Sequence, residues 1–133
     1  MFLDASIVAA IALSEPEAPI ILEKIETADS VYVSAIVVFE AAMALARVKG
    51  LSPEHASELI ERIITELDAR LVPIDGAMAL EAIKAASRFG KGRHKAALNL
   101  GDCFSYAAAY VLRVPLLYKG NDFSQTDLEK IGV

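Results

Sequence analysis

The chain alternates short apolar runs with longer stretches whose apolar residues recur at helical spacing. Met1–Leu3, Val31–Val33, Leu71–Ile74 and Pro115–Tyr118 are brief and almost wholly apolar, which is the pattern of strands buried on both faces. Ile131–Val133 is a candidate fifth strand. Between them the period lengthens. Ser34 is placed to cap a helix over Ala35–Lys49, with Gly50 to end it. Ser52 followed by Pro53 opens another helix, expected to run to about Arg70. There Leu59, Ile60, Ile63, Ile64 and Leu67 make one apolar stripe, with Glu58, Glu61, Arg62 and Glu66 largely opposite. Asp75 is a cap for the next helix, which ends near Phe89 and Gly90, and Asp102 stands at the start of another over Cys103–Leu112.

Strands that alternate with helices imply an α/β fold, a three-layer sandwich in which a central, mostly parallel five-stranded sheet is flanked by helices. No repeat, low-complexity tract or long linker divides the chain, so residues 1–133 read as one domain. A hydrophobic content of 55% with 23% charged residues agrees with a globular protein and argues against disorder.

Four acids break the apolar pattern. Asp4 ends the first run, Glu40 interrupts Ala35–Met43, Asp102 opens the segment through Ala107, and Asp122 follows Tyr118 by a short turn. Burying a lone carboxylate costs several kcal/mol unless something pairs with it. In an open α/β sheet, ligands collect beyond the carboxyl ends of the strands, where strand order reverses. Asp4 and Asp122 follow strands, Glu40 lies nearly two turns into a helix after one, and Asp102 faces the positive end of its helix, so all four can converge there. Two carboxylates about 5.5 Å apart repel by roughly 3 kcal/mol at an effective dielectric of about 20, and a shared divalent cation relieves this. An all-oxygen donor set suits Mg²⁺ or Mn²⁺, and His55 and His94 each lack a second nitrogen or sulfur ligand nearby that would favour zinc or copper. Taken singly, Asp4 and Asp102 also fit helix caps and Asp122 a turn; Glu40, in mid-helix, has no such alternative.

The net charge of −5 argues against a generic nucleic-acid coat, but Lys91, Arg93, His94 and Lys95 form a basic segment with no acid beside it. Such a segment is as often a solvated loop as a phosphate contact, and its place just before Asp102 favours the contact, with Arg93 as the fork. His94 reads equally as a general acid or an exposed side chain. The single cysteine, Cys103, excludes an internal disulfide, fits a reducing compartment and reads as a small core residue. Ile7–Leu13 mimics the apolar part of a signal peptide but lacks a positive leader, so the expectation is a soluble, cytoplasmic protein with no membrane partner.

Across nearly its full length the chain resembles the PIN-domain nucleases, and among them the VapC toxins of toxin–antitoxin pairs. The resemblance rests on Phe2–Ser6, on Ser34–Ala41, on Gly90–His94 leading into Asn99–Ala107, and on Leu116–Phe123, in that order and spacing. It implies an Mg²⁺-dependent endoribonuclease, the toxin of a type II pair that inhibits translation or growth, usually dimeric and held inactive by a VapB-like antitoxin. Asp4, Glu40 and Asp102 match the family's acidic positions and Ser6 its small hydroxyl residue near the metal. Many relatives carry threonine before the fourth position; here Lys119-Gly120-Asn121-Asp122 leaves either Asn121 or Asp122 to fill it. The competing readings are a phosphorylation-receiver domain, which needs an acidic pair after the first strand, a dehalogenase-type phosphotransfer hydrolase, which needs an aspartate where Ser6 stands, and a non-catalytic binding module.

Overall fold

A computed structural model describes all 133 residues. Five strands form a single sheet: β1 Phe2–Leu3, β2 Tyr32–Ser34, β3 Arg70–Val72, β4 Leu116–Tyr118 and β5 Lys130–Gly132. They lie in the order β3-β2-β1-β4-β5, and every pairing is parallel. The expected sheet is therefore present and wholly parallel. β1 is only two residues long, yet it sits at the centre, pairing Phe2 with Tyr32 on one side and Leu116 on the other. Phe2 and Leu3 are completely buried, which explains why the run carries no polar side chain.

Six helices cover the sheet: α1 Ala5–Ala12, α2 Ala18–Glu26, α3 Ala35–Lys49, α4 Pro53–Glu66, α5 Gly76–Phe89 and α6 Leu100–Leu112. The first two connections step one way across the sheet and the third steps back, and α1 packs with α3 and α4 while α5 packs with α6. The α3 boundaries are those expected. Ser34 Oγ accepts from Val37 N, and Gly50 adopts the left-handed conformation with φ 65° that ends the helix. α4 ends sooner than its sequence pattern predicts, at Glu66, because Asp68 turns left-handed at φ 48° and Arg70 already belongs to β3. α6 starts earlier than Cys103, and its cap is Asn99. Asn99 Oδ1 accepts from Asp102 N at 2.9 Å while Asp102 Oδ2 accepts from Asn99 N at 2.8 Å, a reciprocal capping box.

The topology fixes where a site can form. Strands β1, β2 and β3 step one way across the sheet, and the chain then returns to place β4 on the other side of β1. The carboxyl ends of β1 and β4 therefore flank the point where strand order reverses. One continuous core of 31 buried residues lies beneath it.

Candidate active site

Asp4 follows β1 directly at this switch point. It is only 6% exposed and is the one buried carboxylate of the chain. The capping reading holds as far as it goes, since its Oδ2 accepts from Ser6 N at 3.0 Å at the start of α1. The same oxygen also accepts from Ser6 Oγ at 2.6 Å, and Oδ1 accepts from Ser105 Oγ of α6 at 2.8 Å. Ser6 Oγ in turn accepts from Lys119 N, just past β4, at 3.0 Å. One carboxylate thus ties together β1, α1, α6 and the end of β4, held by hydroxyls and an amide with no cation among its partners.

Glu40 arrives from the second turn of α3 and is half-buried. Its carboxylate lies against Gly101 so closely that a methyl group at that position would overlap both of its oxygens. Burial, then the charges of Asp4 and Asp102, push the Glu40 carboxyl above its usual range. Asp102, at the third position of α6, is partly buried. Burial raises its carboxyl to about 6, helped by the charges of Asp4 and Asp122 and opposed by its hydrogen bond from the Asn99 amide. Glu40 thus feels the charges of Asp4 and Asp102, and Asp102 those of Asp4 and Asp122.

None has a basic partner. The chain's ion pairs are Lys84–Glu81, Arg88–Asp127, Lys119–Glu15 and Lys119–Glu17, all away from these four side chains. Lys119, the lysine a phosphorylation receiver would need at its site, is turned aside to Glu15 and Glu17. As they stand, no three or more His, Cys, Asp or Glu side chains are gathered tightly enough to grip an ion. The donors are all oxygen and lack any other counter-charge, which fits a hard divalent cation in type.

The fourth position stays divided. Asn121 and Asp122 are both exposed in the connection from β4 to β5, and only Asp122 acts electrostatically on Asp102. The basic segment folds as a compact turn, closed by Lys91 N to Leu98 O and Leu98 N to Phe89 O. Lys91, Arg93 and Lys95 are exposed on it. His94 is partly exposed, packs edge-on against Phe89, and its Nδ1 accepts from Ala96 N. Cys103 is buried as expected, and burial pushes its thiol up, away from nucleophilic character. Two participants escaped the sequence reading, Ser105 and Gly101. Their signal was helical spacing: Ser105 lies three residues beyond Asp102 and so shares its face.

A wholly parallel sheet in the order 3-2-1-4-5, with acids that have no basic partner around its switch point, defines the class of α/β domain. The PIN domain model matches residues 1–129, and the chain belongs to that family. Within it the chain falls among the VapC ribonucleases. It is 42% identical to VapC ribonuclease R02377 of Rhizobium meliloti, over 96% of this chain and 98% of that protein. It is 39% identical to ribonuclease VapC36 of Mycobacterium tuberculosis, over 100% of this chain and 94% of that protein. In fold it is similar to the crystal structure of VapC20 of Mycobacterium tuberculosis, described as a sarcin-ricin loop cleaving toxin. That match has a TM-score of 0.75 at 16% identity and covers 96% of this chain and 95% of the other. Family members generally depend on a divalent metal ion. No helix here is long and apolar enough to cross a membrane.

Proposed function

We propose that this chain hydrolyses RNA phosphodiester bonds as an Mg²⁺-dependent endoribonuclease, with Mn²⁺ as a competent substitute. The observation that supports this reading is that acids from separate parts of the chain feel each other's charge, Asp4 and Asp102 raising the Glu40 carboxyl and Asp4 and Asp122 that of Asp102, while none of the four has an ion-pair partner. Asp4, Glu40 and Asp102 would hold the ion, with Ser6 beside Asp4 and with Asp122 or Asn121 completing the set. When bound, it supplies charge stabilisation at the scissile phosphate and eases deprotonation of the attacking water.

The chain's own groups prepare that chemistry. Ser6 and Ser105 fix both oxygens of Asp4, so little reorganisation remains when substrate arrives. The capping box engages one oxygen of Asp102, and the other accepts no hydrogen bond from the protein. Lys91, Arg93 and Lys95 would meet the RNA backbone, where the guanidinium offers a bidentate grip. The family reading adds a VapB-like antitoxin as the partner that silences the toxin, a cytoplasmic location, and a homodimer. Phe39, 63% exposed on α3, supports a second surface of association.

Asp4→Asn is the direct test. It should abolish Mg²⁺-dependent cleavage of RNA by the purified protein while circular dichroism shows an intact fold. Undiminished cleavage would remove the assignment, and loss of metal binding without any wild-type cleavage would favour a non-catalytic module.

A further inference from the structure

Asp4, Glu40 and Asp102 come from three different elements, yet each is tied to the first turns of α6. The Glu40 carboxylate rests against Gly101, in the space that a Cβ would fill. Asp102 has one oxygen held by the amide of Asn99, the cap of the same helix. Asp4 is joined to α6 by Ser105, whose hydroxyl donates to Oδ1 at 2.8 Å across 101 residues of chain. Gly101, Asp102 and Ser105 stand at helical spacing and share one face. That face is well seated: Gly101 and Ser105 are buried, and α6 packs on α5, β1 and β4.

The hydrogen bonds at Asp4 leave it little freedom. A carboxylate offers about four lone-pair positions. Oδ2 accepts from Ser6 N and Ser6 Oγ and Oδ1 accepts from Ser105 Oγ, so three are taken and the remaining one is on Oδ1. Ser6 is a near neighbour in sequence and moves with Asp4. Ser105 is the bond that refers the carboxylate to α6, and through α6 to Glu40 and Asp102. A serine inside a helix has a local partner to hand, the carbonyl one turn back, and Ser105 donates to Asp4 instead.

We propose that Ser105 is a positioning residue that fixes the placing of these acids relative to one another and so makes the site select Mg²⁺ over the larger Ca²⁺. Mg²⁺ demands near-ideal octahedral geometry at about 2.0–2.1 Å. Ca²⁺ takes about 6–8 oxygens at about 2.3–2.6 Å in flexible arrangements, with carboxylates often bidentate. A carboxylate with one free lone pair on a fixed frame serves the first demand and frustrates the second. Ser105 has this part only if the acids bind the ion, as the Mg²⁺-dependent ribonuclease reading holds.

Displacement of Mn²⁺ by Mg²⁺ and by Ca²⁺, followed through the paramagnetic resonance of free Mn²⁺, gives both affinities for one protein. Ser105→Ala should weaken Mg²⁺ binding about tenfold and Ca²⁺ binding no more than about twofold, so the preference for Mg²⁺ narrows. Ser105→Cys keeps the buried volume but donates poorly, and should follow the alanine variant. Equal losses for the two ions in Ser105→Ala would mean a general loosening, and a wild-type preference in Ser105→Cys would assign the effect to packing. Either result overturns the role of Ser105, as does an unchanged Mg²⁺ affinity. Wild type and Asp4→Asn are measured beside them. Mn²⁺ bound by wild type and lost in Asp4→Asn upholds the metal site whatever Ser105 does. A wild-type protein that binds none of the three ions removes the Mg²⁺-dependent reading and the role of Ser105 together.

Discussion

Gly101 shows how one residue can set stability against function. It sits inside α6, where alanine is the better helix former by about 1 kcal/mol, and its backbone is not left-handed. Nothing about the helix asks for glycine there. The Glu40 carboxylate does, since it occupies the space that a Cβ would take. That carboxylate is the far end of a flexible side chain and can swing away at little cost to the fold. Gly101→Ala should therefore leave the melting temperature unchanged or slightly raised, while affinity for Mn²⁺ and the rate of RNA cleavage both fall. Calorimetric titration beside thermal melting checks it, and unchanged metal affinity would show that Glu40 has no need of its notch.

At the scale of elements, the question is what holds the β4–β5 connection, residues 119–129, over the crevice. Phe123 is buried against Tyr118, and Asp127 is gripped from two helices. Tyr106 of α6 donates to Asp127 Oδ1 at 2.7 Å and Arg88 of α5 pairs with Oδ2 at 2.5 Å. Burial and the bond to Asp127 push the Tyr106 hydroxyl up to about 12, so it remains a donor throughout the working range. Tyr106→Phe should cost about 1–2 kcal/mol. Arg88→Met, at an exposed pair, should cost less than about 1 kcal/mol. Urea unfolding gives the ranking, and the reverse order would mean that the ion pair is the real fastening. Neither this clamp nor Ser105 was legible in the sequence, because each joins residues far apart in the chain. What was legible had local causes: α3 announced itself through Ser34 and Gly50, and the strands through short runs with no polar face. α6 starts before Asp102 because Asn99, three residues earlier, closes a reciprocal box with it, and an acid at the third helical position looks in sequence like one at the cap. α4 stops short of its apolar stripe because Asp68 turns left-handed, which the stripe does not reveal.

Across the whole molecule, the acids make the fold sensitive to pH in a direction opposite to that of most carboxylates. Asp102 keeps its proton to about 6 in the folded chain, against an ordinary value of 3.8, and Glu40 is shifted the same way. Between these limits the folded state binds more protons than the unfolded state, so the metal-free protein loses stability as pH rises through the window. Because Asp102 is partly exposed, solvent screening reduces the effect to the order of 1 kcal/mol. Asp127 works the other way: its hydrogen bond from Tyr106 holds its carboxyl low, and that contribution is lost as pH falls. Asp102→Asn separates the two, since the carboxamide does not titrate and its oxygen can still accept from the Asn99 amide. The variant should melt about 3–5 °C above wild type near pH 7 without metal, with the gap closing towards pH 4. Added Mg²⁺ or Mn²⁺ should reverse the order near neutral pH, because the ion displaces protons from wild type and finds fewer anionic ligands in the variant. Parallel melting curves for the two proteins across the whole range, with and without metal, would show that Asp102 is neither strained in the free protein nor relieved by an ion.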